Sequence, residues 1–232
     1  MTKICIAIPV LNEEENINKI FFKIKKLNKK LDILFIEDNS QDNTKKKILE
    51  LKKKNKNVFF IFRKKNFGIG SAHKDAIKWC YLKDYRYVIT MDCDGTHDPK
   101  YIPKLLNAAK KYDLVITTRF KNADSIDDWP SSRKFLTRIR FIITRIILKI
   151  TLDASGAYRC FDTKKIFLID VINIKSNSYN YFIESIYNLN EKEYSIYEVP
   201  IKMPFRKLGK SKMSLKHIFL TLASLIRIRF FN

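Results

Sequence analysis

Asp92 and Asp94 flank Cys93 directly after the apolar run Tyr87-Val88-Ile89-Thr90-Met91. Two carboxylates two positions apart at a strand end approach one hard cation if the chain turns there, and Gly95 helps the turn. Hard divalent cations take oxygen ligands and bridge phosphate oxygens. Such a triplet standing alone is more often a solvated loop. Here it ends a buried strand and His97-Asp98-Pro99 follows, which favours the cation site. A second acidic pair, Glu37-Asp38, closes the apolar run Ile33-Leu34-Phe35-Ile36. A carboxylate there hydrogen-bonds a base or a ribose, as acids at strand ends do in dinucleotide-binding sheets. The alternative is that Asp38, Ser40 and Asp42 cap the following helix. Among the cations, Arg119 ends a further strand, Arg133 follows Trp129-Pro130, and Arg206 and Lys212 bracket Gly209 in a basic loop. Guanidinium forks match phosphate oxygens. The basic loop lacks P-loop spacing, and for each cation alone solvated surface charge is the competing reading.

The elements that must position these residues alternate. Ile4 to Ile8 is a short apolar run stopped by Pro9, which suits a strand buried on both faces. Apolar residues then recur at helical spacing between Asn16 and Leu31. Strands are expected at 33–36, 58–62, 87–91 and 114–118, and helices at 42–54, 71–82 and 100–111. Strands alternating with helices predict an α/β fold with a mostly parallel sheet. Ligands of such sheets gather at the carboxyl ends of the strands, so the polar clusters at 11–13, 37–42 and 92–98 converge on one edge. After residue 120 the pattern changes. Residues 133–152 are basic and apolar together: Ile139, Ile142, Ile143, Ile146, Ile147 and Ile150 trace one helical face, with Arg138, Arg145 and Lys149 on another. Residues 213–230 repeat that character.

The chain has 232 residues and a formal net charge of +22, a balance that attracts polyanions: nucleic acid, an anionic membrane surface or phosphorylated small molecules. Much of the lysine, as at 45–47 and 52–54, reads as solvated helix face. Zinc-finger and RNP patterns are absent, which argues against a nucleic-acid module. Cysteines 5, 80, 93 and 160 form no CxxC pair, and a reducing compartment is the simplest expectation. The start of the chain reads as a strand rather than a signal peptide. No uncharged apolar stretch is long enough to span a bilayer.

Together these segments resemble the family-2 glycosyltransferases of GT-A (Rossmann-like) fold, and more narrowly the dolichol-phosphate or polyprenol-phosphate mannose synthases. Ile8-Pro9-Val10-Leu11-Asn12-Glu13 is similar to the family's opening motif, whose counterparts of Pro9, Leu11 and Glu13 line the nucleotide pocket. Ile36-Glu37-Asp38-Asn39-Ser40 resembles the next motif, with Glu37 in place of the usual first Asp, and implies donor contacts at Ile36 and Asp38. Met91 to Pro99 resembles the metal motif, with Cys93 as the small residue between the acids and Thr96 where some relatives carry glutamine. Thr118-Arg119-Phe120, Trp129 to Arg133 and Ser155 to Arg159 are close to further landmarks. Glu198-Val199-Pro200-Ile201, followed by Arg206 and Gly209-Lys210-Ser211-Lys212, favours the polyprenol-phosphate branch. The QxxRW signature of processive synthases and a C-terminal pair of membrane spans are not seen.

The resemblance implies one GT-A domain over 1–232, with 133–152 and 213–230 as amphipathic interface helices. It implies an inverting transfer of a hexose, mannose from GDP-mannose, onto a polyprenyl phosphate. The alternative is a UDP-sugar donor (glucose or an amino sugar) with a lipid-phosphate or glycan acceptor. Asp92 and Asp94 would hold Mg2+ or Mn2+, with Cys93 between them at the donor. Arg119, Arg133, Arg206 and Lys212 would neutralise donor and acceptor phosphates. The enzyme would sit peripherally on the cytoplasmic face of a membrane, with arginines toward anionic headgroups. The competing reading packs both apolar faces on the sheet or on a partner. A small membrane-anchoring partner is left open.

Overall fold

In the computed structural model, which describes residues 2–122, 124–205 and 215–230, one seven-stranded sheet runs in the order β3-β2-β1-β4-β6-β5-β7. Its strands are β1 (Ile4–Val10), β2 (Asp32–Glu37), β3 (Val58–Phe62), β4 (Tyr87–Thr90), β5 (Leu114–Thr118), β6 (Arg159–Asp162) and β7 (Ile196–Pro200). Strands β1 to β4 are mutually parallel, and β5 is parallel to β7. Only β6 runs against its neighbours, wedged between β4 and β5.

The apolar runs become central strands because both faces are covered. Cys5, Ala7, Leu34 and Ile36 point into one core and Ile6, Ile8, Ile33 and Phe35 into the other, following the two-residue period of a strand. Helices α1 (Glu14–Leu27), α2 (Thr44–Lys54), α3 (Ile69–Leu82) and α4 (Ile102–Ala109) fill the crossovers. In α1, Ile17, Ile20, Phe21 and Ile24 are buried at helical spacing, with acids in the first turn and lysines in the last, as the helix dipole favours. The helix expected to reach Leu31 stops at Leu27, where Asn28 turns extended. The helix expected at 100–111 opens as a 3-10 turn, Pro99–Tyr101, capped by the Asp98 side chain on the Lys100 amide.

The second half departs furthest from expectation, since it supplies β6 and β7. It also supplies α6 (Leu168–Ile172), α7 (Asn180–Glu191) and α8 (Leu215–Phe230). Helix α5 spans Ser131–Leu148 and ends where Lys149 adopts a left-handed conformation, φ 56°. Ile150 therefore lies off the helix and is buried in the core. Ile143 and Ile147 pack inward, whereas Phe135, Leu136, Ile139, Ile142 and Ile146 face outward. Helix α8 packs on α5 and buries Leu225 and Ile228, with Ile226 and Phe230 exposed. Within the described residues no helix is long and apolar enough to cross a membrane.

Candidate active site

The carboxyl ends of β1, β2, β4 and β5 open onto one cavity of about 320 Å3. Pro9, Leu11, Glu13 and Asp38 line one end, Asp92, Cys93 and Asp94 the middle, and Arg119 and Arg133 the other end. Ile36 is not among them. It is fully buried beneath the sheet surface, because its side chain alternates away from that of Glu37 and into the core. Arg206 and Lys212 lie outside the described residues.

Two left-handed asparagines shape the first end. Asn12 (φ 51°) and Asn39 (φ 64°) break the chain after β1 and β2, a conformation that asparagine tolerates. The two loops are laced together. The Asn12 amide donates to the Ser40 hydroxyl at 2.9 Å, the Gln41 amide to the Asn12 side chain at 2.8 Å, and the Glu13 amide to the Thr44 hydroxyl at 2.8 Å. Asp42 accepts from the amides of Thr44 and Glu14 and so serves the starts of both α2 and α1. Asp38 does something else: its carboxylate meets Arg63 at 2.8 Å at the cavity edge. Burial raises the Asp38 pKa, and Arg63 offsets this only in part. Helix capping thus falls to Asp42, while Asp38 pairs with Arg63 and lines the cavity. Gly70 closes the wall nearby; a Cβ there would meet Tyr181 Cβ at 2.5 Å and the Ser178 carbonyl at 2.8 Å.

The central turn depends on Gly95, whose φ of 83° suits glycine although open space surrounds it. Thr96 donates its amide (3.1 Å) and hydroxyl (2.6 Å) to Asp94 Oδ1, so this threonine orients the carboxylate. His97 is buried, stacks on Tyr158, and accepts the Asp92 amide proton on Nδ1 at 2.9 Å. A nitrogen that accepts is unprotonated, so the 3.5 Å approach of His97 to Asp92 Oδ2 is no ion pair in the neutral ring. Below the floor, burial, Arg159 and His97 push the His73 pKa down to about 3, which leaves that ring neutral. Two oxygen-donor carboxylates that line one cavity suit a hard divalent cation whose remaining ligands are phosphate and water. No cluster of three such side chains occurs among the described residues.

The basic end holds one arginine more than the sequence reading named. Arg119, Arg133 and Arg140 all line the cavity. Arg133 lies over Trp129 at 4.7 Å and Phe205 at 5.2 Å, and the Trp129 ring nitrogen is fixed by the Met203 carbonyl. Arg119 binds the buried Asp153 three times, through its amide (3.2 Å), Nε (3.0 Å) and Nη2 (2.7 Å). Burial works against both charges, but the pairing wins: the Asp153 pKa is lowered and that of Arg119 raised. Arg140 is pushed down to about 10 by burial and by Arg119 and Arg133, and stays a cation at neutral pH. Its signal was available in the sequence. Arg133, Thr137, Arg140 and Thr144 recur at helical spacing and form the inner stripe of α5.

Known proteins resemble this chain in sequence and in fold. Undecaprenyl-phosphate mannosyltransferase of Micrococcus luteus is 29% identical over 213 residues, 91% of this chain and 88% of that protein. Polyprenol monophosphomannose synthase of Mycolicibacterium smegmatis is 29% identical over 90% of this chain and 80% of that one. Dolichol-phosphate mannosyltransferase of Pyrococcus furiosus is 28% identical over 97% of this chain and 63% of that one. Among solved structures, glucosyl-3-phosphoglycerate synthase of Mycobacterium tuberculosis was determined with Mn2+, UDP and glucosyl-3-phosphoglycerate. It superposes with a TM-score of 0.69 at 15% identity, over 98% of this chain and 78% of that one. The sheet, with its acids at the strand ends, is accordingly of GT-A type. The family model for glycosyl transferase family 2 matches residues 5–167, the stretch that carries both acidic motifs and Arg119 and Arg133, and the chain belongs to that family of glycosyltransferases.

Proposed function

We propose that this enzyme transfers a hexose, mannose from GDP-mannose, onto a polyprenyl phosphate with inversion at the sugar. The observation that carries this reading is the uneven distribution of charge along this cavity. Acids occupy its nucleotide end and centre, and three arginines its far end, two of them on a helix whose outer face is apolar. The names of the three relatives point to the same acceptor class.

Asp38 accepts hydrogen bonds from the base or ribose, with Pro9 and Leu11 packing beside it. Asp92 and Asp94 would hold a divalent cation, Mg2+ or Mn2+, which would supply charge neutralisation at the diphosphate. Arg133 and Arg140, with Arg119, receive the acceptor phosphate. One of its oxygens forms a bond to the sugar C1 while the bond from C1 to the diphosphate oxygen breaks on the opposite face. That oxygen is already ionised near neutral pH, so no base has to remove a proton. Positioning and charge stabilisation are the main contributions of the protein.

Helix α5 would deliver the acceptor. Its outward Phe135, Leu136, Ile139, Ile142 and Ile146 are flanked by exposed Arg138, Arg145 and Lys149, the composition of a helix lying in an anionic lipid surface. The enzyme would therefore be peripheral on the cytoplasmic face of a membrane, with the lipid phosphate entering along the arginine stripe. Asp94→Ala tests the assignment of the acids. Metal-dependent transfer should disappear while the melting temperature holds; unchanged turnover would remove Asp94 from the mechanism.

A further inference from the structure

The arginine end of the cavity is braced from an unexpected direction, the edge strand β7. Glu198 stands opposite Ile116 of β5 in the parallel ladder and is 6% exposed. Its Oε1 accepts the backbone amide of Asp153 at 2.7 Å, and its Oε2 meets the half-exposed Lys121 ammonium at 3.1 Å. The carboxylate of Asp153 is in turn occupied by Arg119 and by the Ser155 hydroxyl. Nε and Nη2 of Arg119 are committed to Asp153 and Ser155, which leaves Nη1 for the cavity that Arg119 lines.

We propose that Glu198 is a positioning residue for Arg119: by holding the Asp153 backbone it fixes the carboxylate that aims the guanidinium at the acceptor phosphate. The inference rests on the arginine end being an anion site. The contact that matters is the hydrogen bond to the amide, not the charge. Lys121 is half exposed, so water screens its end of the pair, whereas a buried amide needs its acceptor.

Two variants separate these causes by reversing them. Glu198→Gln loses the charge but keeps a carbonyl oxygen within reach of the Asp153 amide. Glu198→Asp keeps the charge but draws the oxygens back by about one C–C bond, roughly 1.5 Å, beyond hydrogen-bonding distance. Melting temperature, inorganic phosphate affinity, nucleoside diphosphate affinity and transfer kinetics would be measured for both. The expected result is that Glu198→Gln stays near the parent. Glu198→Asp should weaken phosphate binding and lower the acceptor kcat/KM by roughly 10- to 100-fold, the effect of a misplacement of about 1 Å. Nucleoside diphosphate affinity, set at the nucleotide end and centre of the cavity, should not change. Glu198→Gln failing as badly as Glu198→Asp, Glu198→Asp behaving as the parent, or nucleotide affinity falling in parallel would each overturn the proposal. If the parent transfers no sugar to a lipid phosphate, the functional reading fails, and phosphate affinity still ranks the two variants.

Discussion

Helix α5 inverts the usual arrangement of a surface helix, and the inversion can be tested on two residues of its last turns. Ile146 is 71% exposed and Leu148 is 1% exposed. If the outer face enters a lipid surface, Ile146→Glu forfeits most of the burial of one isoleucine, about 1–2 kcal/mol when scaled from full side-chain burial. It also places a negative charge against anionic headgroups, worth about 1 kcal/mol. Together these weaken vesicle binding by roughly 30- to 150-fold. Folding stability should move by no more than about 0.5 kcal/mol, because the site is exposed. Leu148→Ala should do the reverse. It opens a hole in the core at a cost of about 2–5 kcal/mol and leaves the vesicle affinity of the folded protein as it was. Co-sedimentation with phosphatidylserine-containing vesicles reads the first quantity and urea unfolding the second. Unchanged vesicle binding of Ile146→Glu, with the parent bound, would refute the docking face. So would a large loss of stability, since it would mean that Ile146 is covered by protein.

Further outcomes follow from the site. Asp153→Asn leaves Arg119 buried beside a neutral amide and should cost about 3–5 kcal/mol at pH 7. The folded Asp153 pKa is lowered, so the stabilisation is present above the unfolded value of about 3.9 and fades as pH falls through the folded one. Urea melts of parent and variant should therefore converge only in acid. Gly70→Ala should lose about 1–3 kcal/mol by overpacking against the backbone at 177–178. Gly95→Ala has room and should lose only about 1–2 kcal/mol for its positive φ. Thermal melts of the pair separate crowding from conformation.

The first half of the fold was legible because each central strand is a continuous apolar run and each helix carries one apolar stripe; the acids then mark the strand ends. The second half hides its strands. Strand β6 is four residues, Arg159-Cys160-Phe161-Asp162, charged at both ends, and its place between β4 and β5 is a non-local pairing that no local period announces. Helix α7 is buried on nearly every side and so shows no clean amphipathic face. In the site, Asp92, Asp94, Arg119 and Arg133 could be read from motif and position. Asp153 and Glu198 act through partners 34 and 45 residues from Asp153 along the chain, a relation that only the folded sheet displays. The motif alone puts Ile36 at the site, but the strand period turns its side chain into the core.

A donor panel tests the proposed transfer: purified protein with Mg2+ or Mn2+, a short-chain polyprenyl phosphate and each common nucleotide sugar in turn, reading nucleotide release and lipid product. The expected result is release from GDP-mannose that needs both metal and lipid phosphate, with a mannosyl lipid formed. Turnover with a UDP-sugar alone, or tight nucleotide binding without lipid product from any donor, would contradict it.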